Sequence, residues 1–185
     1  GQDGLERVKQ TVQVINGVTV YVEPKGKEVL KASIDQIIVK GDKFIANVGD
    51  LTNWGWPSDS GWTISDNYAW RTNPITGTRQ FHQAIDIAGT GYGSKVYAVN
   101  NGVVIYKKYT YDYGYYVVID HNNGYSTLYA HLSSFAAGLE VGSTVARGQV
   151  IGYVGSTGYS TGPHIHFEVW KGCEYCRVSP WSLYK

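Results

Sequence analysis

The chain has 185 residues, with 16 Lys and Arg against 15 Asp and Glu, so its formal net charge is +1. This balance lacks the basic excess that is typical of nucleic-acid-binding proteins. Hydrophobic residues make up 43% of the chain, which is enough to bury a core. The longest apolar run, Tyr115 to Ile119, is far shorter than the roughly 18 residues of a transmembrane helix. We therefore expect a folded protein that has no nucleic-acid partner and no membrane span.

Glycine and tyrosine are abundant, with 23 and 16 copies, and valine recurs in short runs. This composition is typical of short β-strands joined by tight turns. No segment shows a helical period of apolar residues over about eleven positions. The sequence predicts a mainly β fold.

Residues 1–47 are predicted to form a small β-rich module. Two β-branched runs, Thr11–Ile15 and Val18–Val22, flank the dipeptide Asn16-Gly17, which is a strong hairpin signal. A third run, Ile37–Val39, follows. The sequence also begins without a Met or a signal peptide, which is typical of a trimmed or mature fragment.

Part of this module resembles a known cell-wall module. Residues Lys25–Leu30 and Ile34–Lys43 are similar to the C-terminal half of the module named for its five glycines. The resemblance implies a contact with cell-wall glycan. The alternative is a strand-rich segment that only supports the next domain.

Residues 48–61 are rich in Gly, Asp, Ser and Trp, and we predict that they link the module to a second domain at residues 62–185. In this domain Tyr115–Asp120 and Tyr125–Leu132 predict a hairpin. Residues 138–155 place apolar residues between glycines and predict tight β-turns at the corners of a folded sheet.

His164 and His166 lie in a run of alternating polar and apolar residues. The alternation predicts a strand with both imidazoles on one face and their Cα atoms about 6.7 Å apart, close enough to serve one site. The alternative is a half-exposed strand with two polar residues in water.

His82 and Asp86 form an H-x-x-x-D pattern, and the apolar alternation around them again indicates a strand. A straight strand would separate the two Cα atoms by about 13 Å, too far for both side chains to hold one ion easily. We therefore predict that His82 lies on a loop or bend and Asp86 on the strand proper. The alternatives are a surface histidine and a turn-capping carboxylate.

Two histidines lie on the predicted hairpin. His131 shares one strand face with Thr127 and Tyr129, and we expect the intervening residues to point into the core. His121, at the end of the hairpin, is left outside the candidate site.

Together, His82, Asp86 and His166 supply two imidazoles and one carboxylate. Three protein ligands with an open fourth position are typical of a catalytic zinc site, where the metal activates a water molecule. His131 and His164 are then left to accept a proton or to stabilise an oxyanion.

Four segments carry a family resemblance, in the order Phe81–Ala88, Tyr129–Leu132, Gly148–Gly155 and Thr161–Glu168. They resemble the lysostaphin/LytM-type zinc metallopeptidases, which are murein endopeptidases. The resemblance extends from about Trp56 to the end of the chain. It implies a twisted antiparallel β-sheet with a catalytic groove.

The same resemblance implies the site and its cofactor. One Zn²⁺ per chain would be held at the positions of His82, Asp86 and His166, and His131 and His164 would be the catalytic histidines. The segment Trp70–Gly77 also resembles the family, and its Arg71 is either near the groove or a plain surface residue. Ala84 stands where the family usually has glycine, and a positive φ there would cost alanine about 1 kcal/mol.

The function implied is a secreted or envelope-located hydrolase that cuts peptide bonds in bacterial peptidoglycan, in the stem or the cross-bridge. The alternative is a catalytically idle scaffold or peptidoglycan-binding protein in a cell-division or sporulation assembly. A third reading treats residues 1–47 as an adhesion module with the larger domain as its passenger. All five expected site positions are filled, which favours the enzyme.

Cys173 and Cys176 form a C-x-x-C pair, which is too small a set for a four-cysteine zinc ribbon. They could remain free thiols or form a local disulfide in an oxidising compartment. Because the implied site of action is extracellular, we expect the disulfide.

Overall fold

A computed structural model describes residues 5–15, 18–31 and 47–185. The chain divides into two compact units, residues 1–43 and 44–185. The first unit contains β1 (Leu5–Ile15) and β2 (Val18–Lys31), which pair antiparallel with Ile15 opposite Val18. The predicted hairpin is therefore confirmed. The run Ile37–Val39 lies outside the described residues, and the likeness to the five-glycine module stays a prediction.

The second unit is built almost wholly from short strands. In chain order they are β3 (Thr63–Asp66), β4 (Ala69–Thr72), β5 (Arg79–His82), β6 (Ile85–Ala88), β7 (Lys95–Tyr97), β8 (Gly102–Thr110), β9 (Gly114–Asp120), β10 (Tyr125–Leu132), β11 (Ser134–Phe135), β12 (Thr144–Val145), β13 (Val150–Tyr153), β14 (Ile165–Lys171) and β15 (Arg177–Val178). A 3₁₀ helix at Pro180–Leu183 is the one helical element among the described residues.

The main sheet has the strand order β12–β8–β9–β10–β14–β6–β3, and β15 pairs with β14 at its end. Every pairing in this sheet is antiparallel. Two small sheets, β11–β13–β7 and β4–β5, complete the unit. The predicted mainly β, antiparallel fold is confirmed. No helix in the described part of the chain is long and apolar enough to cross a membrane.

Both faces of the main sheet are buried, which differs from the sequence expectation for β10. Tyr129 belongs to the larger hydrophobic core, whereas Leu128 and Ala130 belong to a smaller cluster with Trp170. The side chains alternate as predicted, but the larger core lies on the Tyr129 side. An alternating pattern identifies the two faces of a strand without telling which one carries the main core.

A β-bulge near the end of β10 moves His131 out of the regular pattern. His131 has φ of 60°, and the pairing of β10 with β9 shifts register between Tyr129 and Leu132. Leu132 consequently joins Tyr129 in the larger core, although alternation would have placed it with Leu128 and Ala130. A left-handed backbone at a non-glycine residue is unfavourable and is often found at functional sites.

The predicted linker, residues 48–61, lies within the second unit and is bonded to the rest of it over part of its length. The Gly49 and Gly55 amides donate to the carbonyls of His121 and Val99 at 2.8 and 2.7 Å. The Trp54 ring also meets the His121 ring edge-on, with 5.1 Å between centroids. The assignment of residues 1–47, 48–61 and 62–185 to module, linker and peptidase domain stays a prediction.

The turn between β14 and β15 is closed by the disulfide between Cys173 and Cys176, whose Cα atoms are 5.3 Å apart. The expected pairing is therefore present in the structure. Because β15 pairs with β14 through Val169↔Val178 and Trp170↔Arg177, the closed turn fixes the place of Arg177 beside the sheet.

Candidate metal centre and catalytic groove

A groove of about 440 Å³ lies across the second unit, and the predicted site residues are at its floor. The floor residues are His82, Asp86, His131, His164 and His166. One wall comes from the β4–β5 hairpin and the other from the loops that precede β9 and β14. The wall residues include Arg71, Asn73, Pro74, Ile75 and Phe81 on the first side and Asp112, Tyr113, Tyr159, Ser160 and Thr161 on the second.

Strand register brings the metal-ligand candidates together. His166 on β14 lies opposite Asp86 on β6 and Ala130 on β10. His82 is the last residue of β5, after which the chain leaves the small sheet and enters β6 of the main sheet. The predicted bend between His82 and Asp86 is present, although His82 ends a strand rather than lying in a loop.

Ala84, within this bend, does not carry the penalty that its family position suggested. It is fully buried, and it is absent from the residues with positive φ. Alanine therefore fits the backbone conformation here without left-handed strain.

The three donor atoms form a triangle of the size that zinc requires. His82 Nε2 lies 3.3 Å from His166 Nδ1, His166 Nδ1 lies 2.9 Å from Asp86 Oδ1, and His82 Nε2 lies 3.4 Å from Asp86 Oδ1. Two ligand atoms bound tetrahedrally at zinc distances would be about 3.3 Å apart. Two imidazole nitrogens and one carboxylate oxygen therefore fit zinc and leave a fourth position for a water molecule or substrate.

The outer nitrogen of each ligand-candidate imidazole has its own acceptor. His82 Nδ1 lies 3.1 Å from the Asn67 carbonyl, and His166 Nε2 lies 3.2 Å from Glu168 Oε1. Carbonyl and carboxylate oxygens accept hydrogen bonds, so both outer nitrogens carry a proton. Such outer partners leave the inner nitrogens, His82 Nε2 and His166 Nδ1, directed toward the metal position.

His131 and His164 are also oriented by backbone carbonyls, and the Ser160 hydroxyl lies a further 3.4 Å from His164 Nδ1. His131 Nδ1 donates to Thr157 O and His164 Nδ1 donates to Gly162 O, both at 2.8 Å. In a neutral ring, Nε2 is then an acceptor. The two rings are 4.8 Å apart between centroids, so two proton acceptors stand together on the groove floor.

Residues 80–178 match Peptidase family M23, and this match covers more than half of the chain. The chain belongs to this family. It is 42% identical over 115 residues to the peptidoglycan DD-endopeptidase ShyA of Vibrio cholerae, a match that covers 62% of this chain and 26% of ShyA. The chain spans about a quarter of the length of the curated relatives it matches.

Solved structures agree with this family membership. A zinc-containing peptidase from Vibrio cholerae is 34% identical with a TM-score of 0.60, and the match covers 69% of this chain and 39% of that one. The catalytic domain of lysostaphin from Staphylococcus simulans is 28% identical with a TM-score of 0.60, covering 67% and 93% of the two chains. The resemblance to lysostaphin-type metallopeptidases is thereby confirmed.

Charged neighbours and burial set the protonation of this M23 site. Burial alone would raise the pKa of Asp86, but the adjacent imidazoles of His166 and His82 hold it well below its usual range. Burial, together with the nearby His166 and His164, lowers the pKa of His131 to about 4. His131 is therefore neutral at neutral pH, as a proton acceptor must be.

Arg71 of the M23 chain lies in the groove wall rather than on a plain surface. Its guanidinium forms an ion pair with Asp66 and lies 3.6 Å from Asp86 Oδ2, the oxygen that does not face His166. The positive charge therefore stands on the outer side of the carboxylate and leaves Oδ1 directed toward the metal position.

Three further residues around His166 had not been assigned a role from the sequence: Glu168, Arg177 and Tyr113. Glu168 contacts His166 directly, and its position two residues later on the same strand face was a readable signal. Arg177 and Tyr113 reach Glu168 from β15 and from the loop before β9. Nothing in the sequence around Arg177 or Tyr113 indicates their contact with Glu168, because that contact depends on tertiary packing.

Proposed function

We propose that this chain is a zinc-dependent endopeptidase that hydrolyses peptide bonds in bacterial peptidoglycan. The convergence of His82 Nε2, Asp86 Oδ1 and His166 Nδ1 beside two further histidines carries the proposal. The relative ShyA, a peptidoglycan DD-endopeptidase, supports the substrate class. The zinc-containing peptidase from Vibrio cholerae supports the choice of metal.

In this proposal, His82, Asp86 and His166 hold one zinc ion per chain. A bound zinc would acidify a water molecule and polarise the scissile carbonyl. His131 and His164 then share the proton chemistry, since each offers an Nε2 acceptor beside the metal position. The histidine that takes the proton can return it to the leaving amine, which completes hydrolysis without any covalent intermediate on the protein.

The bond cut is proposed to be a DD-peptide linkage. The relatives named as DD-endopeptidases are 39–43% identical to this chain, against 28% for the lysostaphin domain. Since this substrate lies in the bacterial wall, we place the protein in the cell envelope or outside the cell. A contact of residues 1–47 with cell-wall glycan belongs to the same proposal.

The alternative of a catalytically idle scaffold is not favoured. A scaffold has no need of two ligand-candidate imidazoles with their outer nitrogens paired, nor of two further histidines beside them. These four imidazoles and the carboxylate of Asp86 all line the groove.

The test is zinc content together with hydrolysis of purified peptidoglycan. We expect one zinc per chain, loss of peptide release with a chelator, and recovery when zinc is restored. Asp86→Asn should lose zinc, whereas Glu140→Gln, the same change at an exposed carboxylate, should retain it. Zinc-loaded protein that releases no peptides from several wall types would point to the scaffold instead.

A further inference from the structure

Glu168 is a buried carboxylate whose two oxygens contact four side chains. The residue is only 3% exposed. Its Oε1 lies 3.2 Å from His166 Nε2 and 2.8 Å from the Tyr113 hydroxyl. Its Oε2 lies 2.6 Å from Trp170 Nε1 and 2.7 Å from Arg177 Nε.

All four partners of Glu168 are donors. Trp170 Nε1 and Arg177 Nε can only donate. The Tyr113 hydroxyl accepts from Arg177 Nη2 at 2.8 Å, so its own proton is directed to Glu168. Since an ionised carboxylate only accepts, His166 Nε2 must also donate to it.

This pairing determines which nitrogen of His166 faces the metal position. With the proton of the neutral ring on Nε2, the lone pair is on Nδ1. Nδ1 is the atom that lies 2.9 Å from Asp86 Oδ1 and 3.3 Å from His82 Nε2. A 180° flip of the ring would lose the bond to Glu168 and turn the carbon Cδ2 toward the metal position, and the other tautomer would turn an N–H toward it.

We propose that Glu168 is a positioning residue, which holds His166 in the tautomer and ring orientation that present Nδ1 to zinc. The inference rests on the zinc site of the proposed function. It distinguishes the two imidazole ligands: His82 is oriented by a backbone carbonyl, and His166 by a charged side chain. A point substitution can remove the Glu168 side chain, but it cannot remove the Asn67 carbonyl.

Arg177 and Tyr113 hold this carboxylate in place. A buried carboxylate without a partner is strongly disfavoured, and Arg177 supplies the opposite charge at 2.7 Å. Arg177 comes from β15, directly after the disulfide-closed turn, and its backbone pairs with Trp170. Glu168 is thus hydrogen-bonded by Trp170 of its own strand, by Arg177 of the neighbouring strand and by Tyr113 of the groove wall.

The test is zinc affinity of Glu168→Gln, measured by competition with a chromophoric chelator. The glutamine side chain has the shape of the glutamate, but one carboxylate oxygen is replaced by an NH₂ group. That NH₂ group cannot accept the hydrogen bonds of the two donors that it faces. We expect zinc binding to weaken about 10- to 100-fold. Glu140→Gln is the matched control, since it removes the same charge from an exposed carboxylate, and its affinity should equal that of the parent.

A spectroscopic readout separates positioning from general damage. The visible absorption bands of Co²⁺ report ligand geometry, so Co²⁺-loaded Glu168→Gln should show shifted bands and Co²⁺-loaded Glu140→Gln should not. Folding of each variant is checked by circular dichroism. Unchanged affinity and unchanged bands in folded Glu168→Gln would overturn the inference.

If Glu168→Gln does not fold, Tyr113→Phe provides the second arm. It removes one donor to Glu168 and leaves the charge pair with Arg177, so zinc binding should weaken about threefold. Equal affinity in parent and Tyr113→Phe would overturn the inference. A parent protein that binds no zinc would instead contradict the proposed function, which separates the two failures.

Discussion

Two buried histidines on the same hairpin differ in what their second ring nitrogen does. His121 and His131 are 0% and 6% exposed, and burial lowers the pKa of each to about 4. His121 Nδ1 donates to Asn101 O at 2.7 Å, and its Nε2 lies 2.8 Å from Thr127 Oγ1. His131 Nδ1 donates to Thr157 O, and within the described residues its Nε2 has no hydrogen-bond partner.

The comparison teaches that burial and a lowered pKa do not identify a functional histidine. Since the Asn101 carbonyl can only accept, His121 Nδ1 carries a proton, and its Nε2 is in contact with the Thr127 hydroxyl. Both of its nitrogens are used within the fold. His131 keeps one ring nitrogen available in the groove, which is what its proposed role as a proton acceptor requires.

The largest expected effect comes from removing the free acceptor. His131→Gln should lower peptidoglycan hydrolysis by about 10²- to 10⁴-fold while zinc content stays at the parent level, because the residue acts on protons rather than on the metal. The measurement is the rate of peptide release, with zinc quantified in the same samples.

The matched change on the structural histidine is His121→Gln. It should leave the hydrolysis rate nearly unchanged and lower the free energy of unfolding by about 2 kcal/mol, because buried hydrogen-bond partners lose their match. Full activity in His131→Gln, or a large activity loss in His121→Gln, would reverse the roles assigned to the two residues.

The second prediction concerns acid stability. The pKa of His121 falls from 6.5 in the unfolded chain to about 4 in the fold because of burial, so the unfolded state binds more protons between these values. Its contribution to stability is complete above pH 6.5 and is lost as the pH falls toward 4. The full loss is about 3 kcal/mol.

Urea unfolding at pH 7, 6, 5 and 4 measures this effect as a difference between the parent and His121→Gln. The parent should lose more stability on acidification than the variant, which has no imidazole to protonate at this position. Parallel pH curves for the two proteins would show that His121 is not buried in the neutral form.

The smallest expected effect concerns the Thr157 carbonyl, which accepts the hydrogen bond of His131 Nδ1. Gly114 has φ of 61°, and an added Cβ would overlap Thr157, whose carbonyl holds the His131 ring. Gly138 has a similar φ of 74° but open space around it. Both Gly→Ala changes carry backbone strain of about 1 kcal/mol, and Gly114→Ala adds about 1–3 kcal/mol for the overlap.

The distinguishing readout is activity in folded protein. Gly114→Ala should lower hydrolysis because the Thr157 carbonyl moves, while Gly138→Ala should not. If the two variants had equal free energies of unfolding and equal hydrolysis rates, the residues around Thr157 would have to move to make room for the new Cβ without displacing His131.

The residues of the candidate site could largely be predicted from the sequence, but the residues and backbone groups that orient them could not. Spacing and motif order indicated His82, Asp86 and His166 as ligands and His131 and His164 as their neighbours, and the structure places all five on one groove floor. Their roles stay predictions. The bulge at His131 and the contacts of Glu168 could not be read in the same way.

The reason lies in the range of the interactions. A hairpin at an Asn-Gly dipeptide or a strand with period two depends on neighbouring residues, so the sequence by itself determined the antiparallel β fold and the faces of its strands. The meeting of Ala130, His166 and Asp86 depends on the register of three strands from distant parts of the chain. Which nitrogen of each imidazole is free depends on single carbonyls and carboxylates brought there by packing, and only the tertiary structure decided that.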